Sequence, residues 1–406
     1  MDRSEHSTNR PLLVAALAIG LATAACTPPA AASDGPERAK PPAEQSPAPV
    51  TNPDPESLPE PPPAEPIVYD RWTTLGRSEG LPSEKILCVL CDGPRVWAGT
   101  ENGLVCVEQD KLSVWGPQHG LAHRVVSAIA KDAKTGDLWI GTFGGVSRFS
   151  GGRFTTFRQT TSGLMNDVVY AIACEGDRVW FATAGGGSRY DKVKDQWGVF
   201  DHTNAIFHEP WTYGVAAGLG RIWWGVWAGG VCEHDPATGS WKEYRDPDGE
   251  FELDLVPDDG PIHDVTSSLS MAQGIVWQST YFGLSRFEKG KWRSFLKKDG
   301  GLPSDFINTA QARGRWAFLA TDEGLCVTDG DNWTSYGRND DGTGAVRLVR
   351  PDRPAEVRAL QTSLAHKYCF ASDAQGREVW VGTAKGLAHG VSTVPVAAKD
   401  DKAGGR

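Results

Sequence analysis

Val96-Trp97-Ala98-Gly99-Thr100-Glu101-Asn102-Gly103-Leu104 is a phrase that the chain writes seven times. It returns as Trp139-Ile140-Gly141-Thr142 with Gly145-Val146, as Trp180-Phe181-Ala182-Thr183 with Gly186, and as Trp223-Trp224-Gly225-Val226 with Gly230-Val231. Three more copies follow: Trp277-Gln278-Ser279-Thr280 with Gly283-Leu284, Phe318-Leu319-Ala320-Thr321 with Gly324-Leu325, and Trp380-Val381-Gly382-Thr383 with Gly386-Leu387. Most copies stand about 41 to 43 residues apart, a period that belongs to propeller repeats rather than to helical solenoids.

Working outward from the phrase, each copy sits among four short apolar runs. The first run, Lys85 to Leu90 in unit one, recurs as Val125 to Ala130, Val168 to Ala173, Thr212 to Ala217, Val265 to Ser270, Ile307 to Ala312 and Lys367 to Ala371. A glycine turn follows, then the Trp-bearing run, then a third such as Val146-Ser147-Arg148-Phe149. The fourth run places two aromatics three apart, as in Phe154/Phe157, Trp197/Phe200 and Trp241/Tyr244. Short runs punctuated by glycine make a four-stranded antiparallel sheet. Residues three apart on a strand point to opposite faces, so both faces of each sheet need a neighbour.

Counting the strands predicts closure. The seventh unit ends after its third strand near Gly390, and the spare outer strand lies at the other end, at Tyr69-Asp70-Arg71-Trp72-Thr73-Thr74-Leu75. If the two pair, no sheet edge is left open. The expected fold is all-β: a seven-bladed propeller of four-stranded antiparallel blades over residues 67–391, its ring closed by the N-terminal strand. A formal net charge of -10 argues against a nucleic-acid partner, which favours a basic footprint.

Ahead of the propeller, Pro11 to Ala22 is a short apolar core that stops at Thr23-Ala24-Ala25-Cys26, which reads as an export signal over residues 1–25. Small residues before a cysteine resemble a bacterial lipoprotein signal. That resemblance implies lipidation of Cys26 and a membrane-anchored protein of the cell envelope, facing the periplasm or the cell surface; an ordinary signal peptide cut nearby is the other reading. From Thr27 to Pro66 fall 14 of the 27 prolines. Residues 26–66 are thus expected to be a disordered, extended linker, and 392–406 a polar tail.

Gly80-Leu81-Pro82-Ser83, Gly301-Leu302-Pro303-Ser304 and Leu138-Trp139-Ile140-Gly141-Thr142 through Phe149 resemble the two-component regulator propeller repeat. The resemblance covers nearly all of residues 67 to 390. It implies a sensing module of the kind often found outside the membrane in histidine kinases. This chain departs from that plan, with one ring and no transmembrane helix, kinase or DNA-binding region after it.

Chain direction assigns the faces. Turns between strands one and two, and three and four, lie below; the Gly-Thr loops and the connections between blades lie above. The upper connections vary in length, with Asp201 to Pro210, Arg245 to Pro261 and Gly337 to Leu364 the longest. Long loops on a rigid scaffold carry binding. Twelve of the sixteen tryptophans fall in second or fourth strands and read as core. Trp211 and Trp227 do not; with Tyr281, Phe282 and His208 they form the candidate ligand-binding set, Phe207 nearby. Exposed rings make a platform for a sugar or peptide. The competing reading is that they plug the loop insertion.

Other motifs lead less far. Asp246, Asp248, Glu250, Glu252, Asp254, Asp258 and Asp259 crowd one connection without the spacing of a calcium loop. His202, His208 and His263 lack zinc-ligand spacing. Cys88 and Cys91 share a strand and read as packed thiols; a Cys88 to Cys106 bridge is one alternative. No hydrolase, zinc-protease or phosphate-loop motif is present, so no catalytic residue, metal or cofactor is expected. The leading expectation is an exported ligand-binding or sensor module for a carbohydrate or peptide. An envelope protein-interaction scaffold, or a propeller lyase or hydrolase, are the alternatives.

Overall fold

The computed structural model describes residues 65–247 and 260–393. The export signal, Cys26, most of the proline-rich segment, the acidic run Asp248 to Asp259 and the tail beyond Thr393 lie outside the described residues.

Seven antiparallel sheets follow one another along the chain. Their first strands are Ile86–Asp92, Val126–Lys131, Val169–Glu175, Thr212–Gly218, Thr266–Ala272, Ile307–Arg313 and Cys369–Gln375. The phrase fills the second strands, among which Leu138–Thr142 is buried along its whole length and the others are buried from their second or first residue on. Helix among the described residues is confined to three short 3₁₀ turns, at Arg77–Glu79, Pro117–His119 and Lys297–Asp299.

Each residue of the phrase has a mechanical job. Trp139 is fully buried and meets Phe157, Phe181 and Tyr190 at centroid separations of 5.6 to 5.7 Å, joining its own blade to the next. Such pairs add about 0.5–1.5 kcal/mol to the area they bury. The glycine after it is where the next blade's first strand passes closely. A Cβ on Gly141 would stand 2.9 Å from Val169, and one on Gly382 would stand 2.8 Å from the Ile86 carbonyl. The threonine ties its loop, Thr142 Oγ1 donating to the Gly145 carbonyl at 2.6 Å and accepting from the Gly144 N–H at 3.1 Å. The last glycine holds a left-handed turn. At Gly324 φ is +129°, and a Cβ would lie 2.0 Å from the Tyr336 carbonyl.

The sheet of blade seven is completed from the other end of the chain. Arg71–Leu75 pairs antiparallel with Gly386–Val391, Trp72 opposite Gly390. Gly386 N–H also donates to the Glu84 carbonyl of blade one at 2.7 Å, as Gly145 of blade two does to Asp167 of blade three at 2.8 Å.

One expectation is corrected and two readings left open by the sequence are decided. The connection from Gly337 to Leu364 is not an upper loop: Gly344–Arg350 and Arg353–Leu360 form a hairpin on the outer edge of blade six, giving a six-stranded sheet. Val346, Leu348 and Leu360 bury one side of it against the core around Tyr336, and the alternation of Val346, Arg347, Leu348 is the strand signal. Pro354 is tolerated because its strand is outermost, with no neighbour asking for its missing N–H. Phe207 is a plug, 3% exposed, edge-on to Trp224 and Trp241 at 5.6 Å. Cys88 and Cys106 are free thiols, as are the other five described cysteines.

Candidate functional site

The repeat offers three positions per blade to the upper mouth: the residue before the first strand, the residue after its first, and the first residue of the Gly-Thr loop. The second of these is a β-bulge in every blade. Register skips from Val126 to Ala128, from Val169 to Ala171, from Thr212 to Gly214, and likewise in the other four. A bulge leaves one residue out of the ladder and re-aims its side chain. In blades two, five and six that residue is polar and laces onto the next blade: Ser127 Oγ to the Val169 carbonyl at 2.5 Å, Ser267 Oγ to Ile307 at 2.7 Å, Asn308 Nδ2 to Cys369 at 2.7 Å. In blades three, four and seven it is Tyr170, Tyr213 or Phe370, and the position goes to rings instead.

Those rings join a continuous run across six blades. Phe143 stands 6.4 Å from Tyr170, which stacks on Tyr213 at 4.4 Å and 16°. Tyr213 meets Trp227 at 5.1 Å, and Trp227 meets Tyr281 edge-on at 6.0 Å. Tyr281 stacks on Phe306 at 4.4 Å and 15°; Phe306 lies 6.3 Å from Tyr368, and Tyr368 lies 5.0 Å from Phe370. All of them are half-buried, with ring surface in contact and an edge in solvent. Blade one closes the run with a cation: Lys85 Nζ sits 5.3 Å above the Phe370 ring and 3.0 Å from the Glu101 carboxylate.

The loop that carries Trp227 departs from the other six. Val226 replaces the loop-tying threonine, one extra residue is inserted before Gly230, and Ala228 takes φ +51°. A non-glycine residue pays for that conformation, and such departures concentrate where function needs them. The Trp227 N–H still donates to the Trp211 carbonyl at 2.9 Å, so Trp211 and Trp227 are fixed together.

The candidate set therefore divides. Trp227 and Tyr281 are in contact at the mouth, and Trp211, 40% exposed, flanks them. Phe282 stacks on His263 at 4.1 Å, and that imidazole's Nδ1 accepts the Val265 N–H at 2.9 Å. His208 is elsewhere, paired at 2.8 Å with Glu243 on the outer strand Ser240–Tyr244. Tyr170, Tyr213, Phe306, Tyr368 and Phe370 escape a reading based on loops, because an aromatic inside an apolar strand looks like core. Aligning the seven first strands would have found them.

Electrostatics matches enclosure. Burial, with the neighbouring Tyr213 and Tyr368 phenols, pushes the Tyr281 phenol well above its usual range. Burial also raises Tyr213 against the side-chain hydrogen bond with Tyr170. A concavity of about 610 Å³ opens on the lower face between blades one and seven, walled by turn residues such as Gly93, Asp110 and Gly376. Its one ring stack, Trp380 on His389 at 4.0 Å, is already self-satisfied, so the upper mouth is the stronger candidate.

Fold and site together define a seven-bladed β-propeller with an aromatic-lined upper mouth. Neither a family model nor a curated protein sequence matches the chain. Solved structures do. The extracellular domain of the hybrid two component system BT3049 from B. thetaiotaomicron superimposes with a TM-score of 0.60 at 15% identity, over 81% of this chain and 42% of that one. That of BT4673 from the same organism gives 0.58 at 18%, over 79% and 40%. Selenomethionine-substituted virginiamycin B lyase from Staphylococcus aureus gives 0.54 at 12%, over 80% and 99%. The chain thus spans about two fifths of the two-component domains, and at these identities the likeness is one of fold.

Proposed function

We propose that the chain is an exported ligand-binding or sensor propeller that takes a small ligand at the aromatic mouth and reports through a separate partner. The observation that carries this is the run from Tyr170 through Tyr213 and Trp227 to Tyr281, in which Tyr170 and Tyr213 take the bulge position that blades two and five spend on interblade hydrogen bonds, and Trp227 and Tyr281 come from the Gly-Thr loops. Rings offer large contact area at little entropic cost, which suits the sugar or peptide ligand expected from the sequence. The extracellular origin of the two-component neighbours supports work outside the cytoplasm, in keeping with the apolar leader and Cys26. Lipidation of Cys26 belongs to the same proposal; Cys26→Ser should release the protein from the membrane fraction.

The test is a thermal-shift screen of the purified full chain against oligosaccharides, peptidoglycan fragments and short peptides. A ligand at a hundredfold excess over its Kd stabilises the folded state by about 2.7 kcal/mol. Trp227→Ala is expected to abolish the shift. A screen in which nothing stabilises the protein favours the scaffold reading, with a partner protein in place of a ligand.

A further inference from the structure

We propose that the sector of the mouth between blades six and seven recognises a primary ammonium group, held by the Asp322 carboxylate, the Tyr368 hydroxyl and the Phe306 ring. This rests on the upper mouth being the binding face and names the chemistry one part of it selects.

Blade one supplies the template. There the loop position is a carboxylate, Glu101, the position before the first strand is Lys85, and the ammonium lies 3.0 Å from that carboxylate and 5.3 Å above the ring of Phe370 in the preceding blade. Ammonium, carboxylate and aromatic face are all provided by the protein. Blade six repeats the carboxylate at the same loop position, Asp322, and its N–H reaches the Phe306 carbonyl at 3.4 Å. The position that Lys85 fills in blade one is Phe306 in blade six. The carboxylate recurs, the cation does not, and a ring, Phe306, stands in the cation's place.

The polar atoms there are left in debt. Asp322 Oδ1 is buried and has no hydrogen-bond partner, and the Tyr368 hydroxyl is buried beside it with only the Asn308 side chain to bond. Glu243 Oε1, also buried without a hydrogen bond, differs in having His208 Nε2 at 2.8 Å. Lys367 places its ammonium on Glu323 at 2.9 Å. Burial raises the Tyr368 phenol, the side-chain hydrogen bond with Asn308 opposes this, and the Asp322 charge adds to it. A buried carboxylate oxygen without a donor is costly. A primary ammonium brings three donors: one can meet Asp322 Oδ1 and another a lone pair of Tyr368 Oη, while the negative face of Phe306 attracts the charge. A neutral donor can meet Asp322 Oδ1 but leaves its charge unmatched, and an anionic guest is repelled. The formal net charge of -10 favours the approach of a cation.

An ammonium can come from an amino sugar or from an alkylamine such as a peptide N-terminus, and the experiment separates them. Calorimetric titration of the full chain in low salt would use a glucosamine oligosaccharide, the same oligosaccharide N-acetylated, and 1,4-diaminobutane. The free-amine oligosaccharide should bind at least about tenfold more tightly than its acetylated form. Binding of the diamine as well makes the amine sufficient; binding of the sugar alone makes it an amino-sugar site. Asp322→Asn, nearly isosteric, should remove the preference without changing the melting temperature. Phe306→Lys should rebuild the blade-one arrangement, fill the site from within and block the amine. Equal binding of free and acetylated forms, unchanged in Asp322→Asn, overturns the inference and leaves the aromatic mouth standing as a binding face. No binding of any probe at millimolar concentration overturns the inference and also counts against that face.

Discussion

On the lower face blade meets blade through charge, and on the upper face through rings. Below, Lys131 pairs with Asp92, Lys192 with Asp132, Lys134 with Asp177 and Arg313 with Asp373, each pair crossing a blade boundary. The last of these buries a carboxylate that also accepts the Cys91 N–H at 2.7 Å, so one side chain joins blades six, seven and one. Above, the equivalent contacts are Tyr170 on Tyr213 and Tyr281 on Phe306, with Asp322 Oδ1 left unpartnered. A face whose polar groups are paired off holds the ring together. One that leaves some in debt is ready for a guest.

The comparison breaks first at Asp373. Asp373→Ala leaves the partly exposed Arg313 guanidinium and the buried Cys91 N–H without their acceptor, and should cost about 2–3 kcal/mol in urea denaturation. Ligand affinity should stay unchanged under conditions where the variant is folded. A loss under about 1 kcal/mol would show that the charged seam is not what binds blade six to blade one.

The converse variant is Trp227→Ala. It removes ring contacts with Tyr213 and Tyr281, worth about 0.5–1.5 kcal/mol each, so stability should fall by about 1–2 kcal/mol while ligand affinity drops at least about tenfold. Measured side by side, the two variants should separate stability from binding. If Asp373→Ala weakens binding as much as Trp227→Ala does, the two faces are not independent.

The smallest effect sharpens the same contrast through pH. His123 Nδ1 accepts the Val125 N–H at 3.1 Å, and His366 Nδ1 accepts the Tyr368 N–H at 3.0 Å, both at strand entries on the upper face. Burial holds both imidazoles below their usual range, aided by Arg124 at the first and Lys385 at the second. Their folded pKa values are depressed, so as the pH falls below about 6.5 the unfolded chain takes up protons that the fold resists. The stability these bonds give is complete above that pH and lost as it falls further. On the lower face Asp132 is held below the usual carboxylate range, because hydrogen bonds from Lys192, Lys134 and Thr135 outweigh burial. Its contribution is lost only below about pH 4. Between these limits, amide exchange corrected for its intrinsic pH dependence should rise at Val125 and Tyr368 and stay level at Lys134, whose N–H donates to Asp132. Equal loosening at all three would remove the distinction.

How much of this was legible in the sequence depends on whether a residue does the same work in every blade. Gly141 must admit the neighbouring strand and Thr142 must tie its loop, and because the other units face the same demands, the phrase repeats and announces the propeller. Trp227 and Tyr281 stand out because they lie in Gly-Thr loops, outside the second and fourth strands that carry most of the core aromatics. Tyr213 was hidden by its strand: periodicity cannot show a bulge, and without the bulge its ring would be counted as core. For Phe207 the sequence left platform and plug both open, and only its place against Trp241 decides for the plug. The hairpin Gly344 to Leu360 was passed over because it breaks the four-strand rhythm of the repeat.

The most direct test of the aromatic mouth is hydrogen-deuterium exchange of the full chain with and without a ligand that raises its melting temperature. Protection is expected in peptides containing Tyr213, Trp227, Tyr281 and Tyr368, with none at the lower turns around Gly93, Gly176 and Gly376. Protection at those lower turns with no change around Trp227 would contradict it.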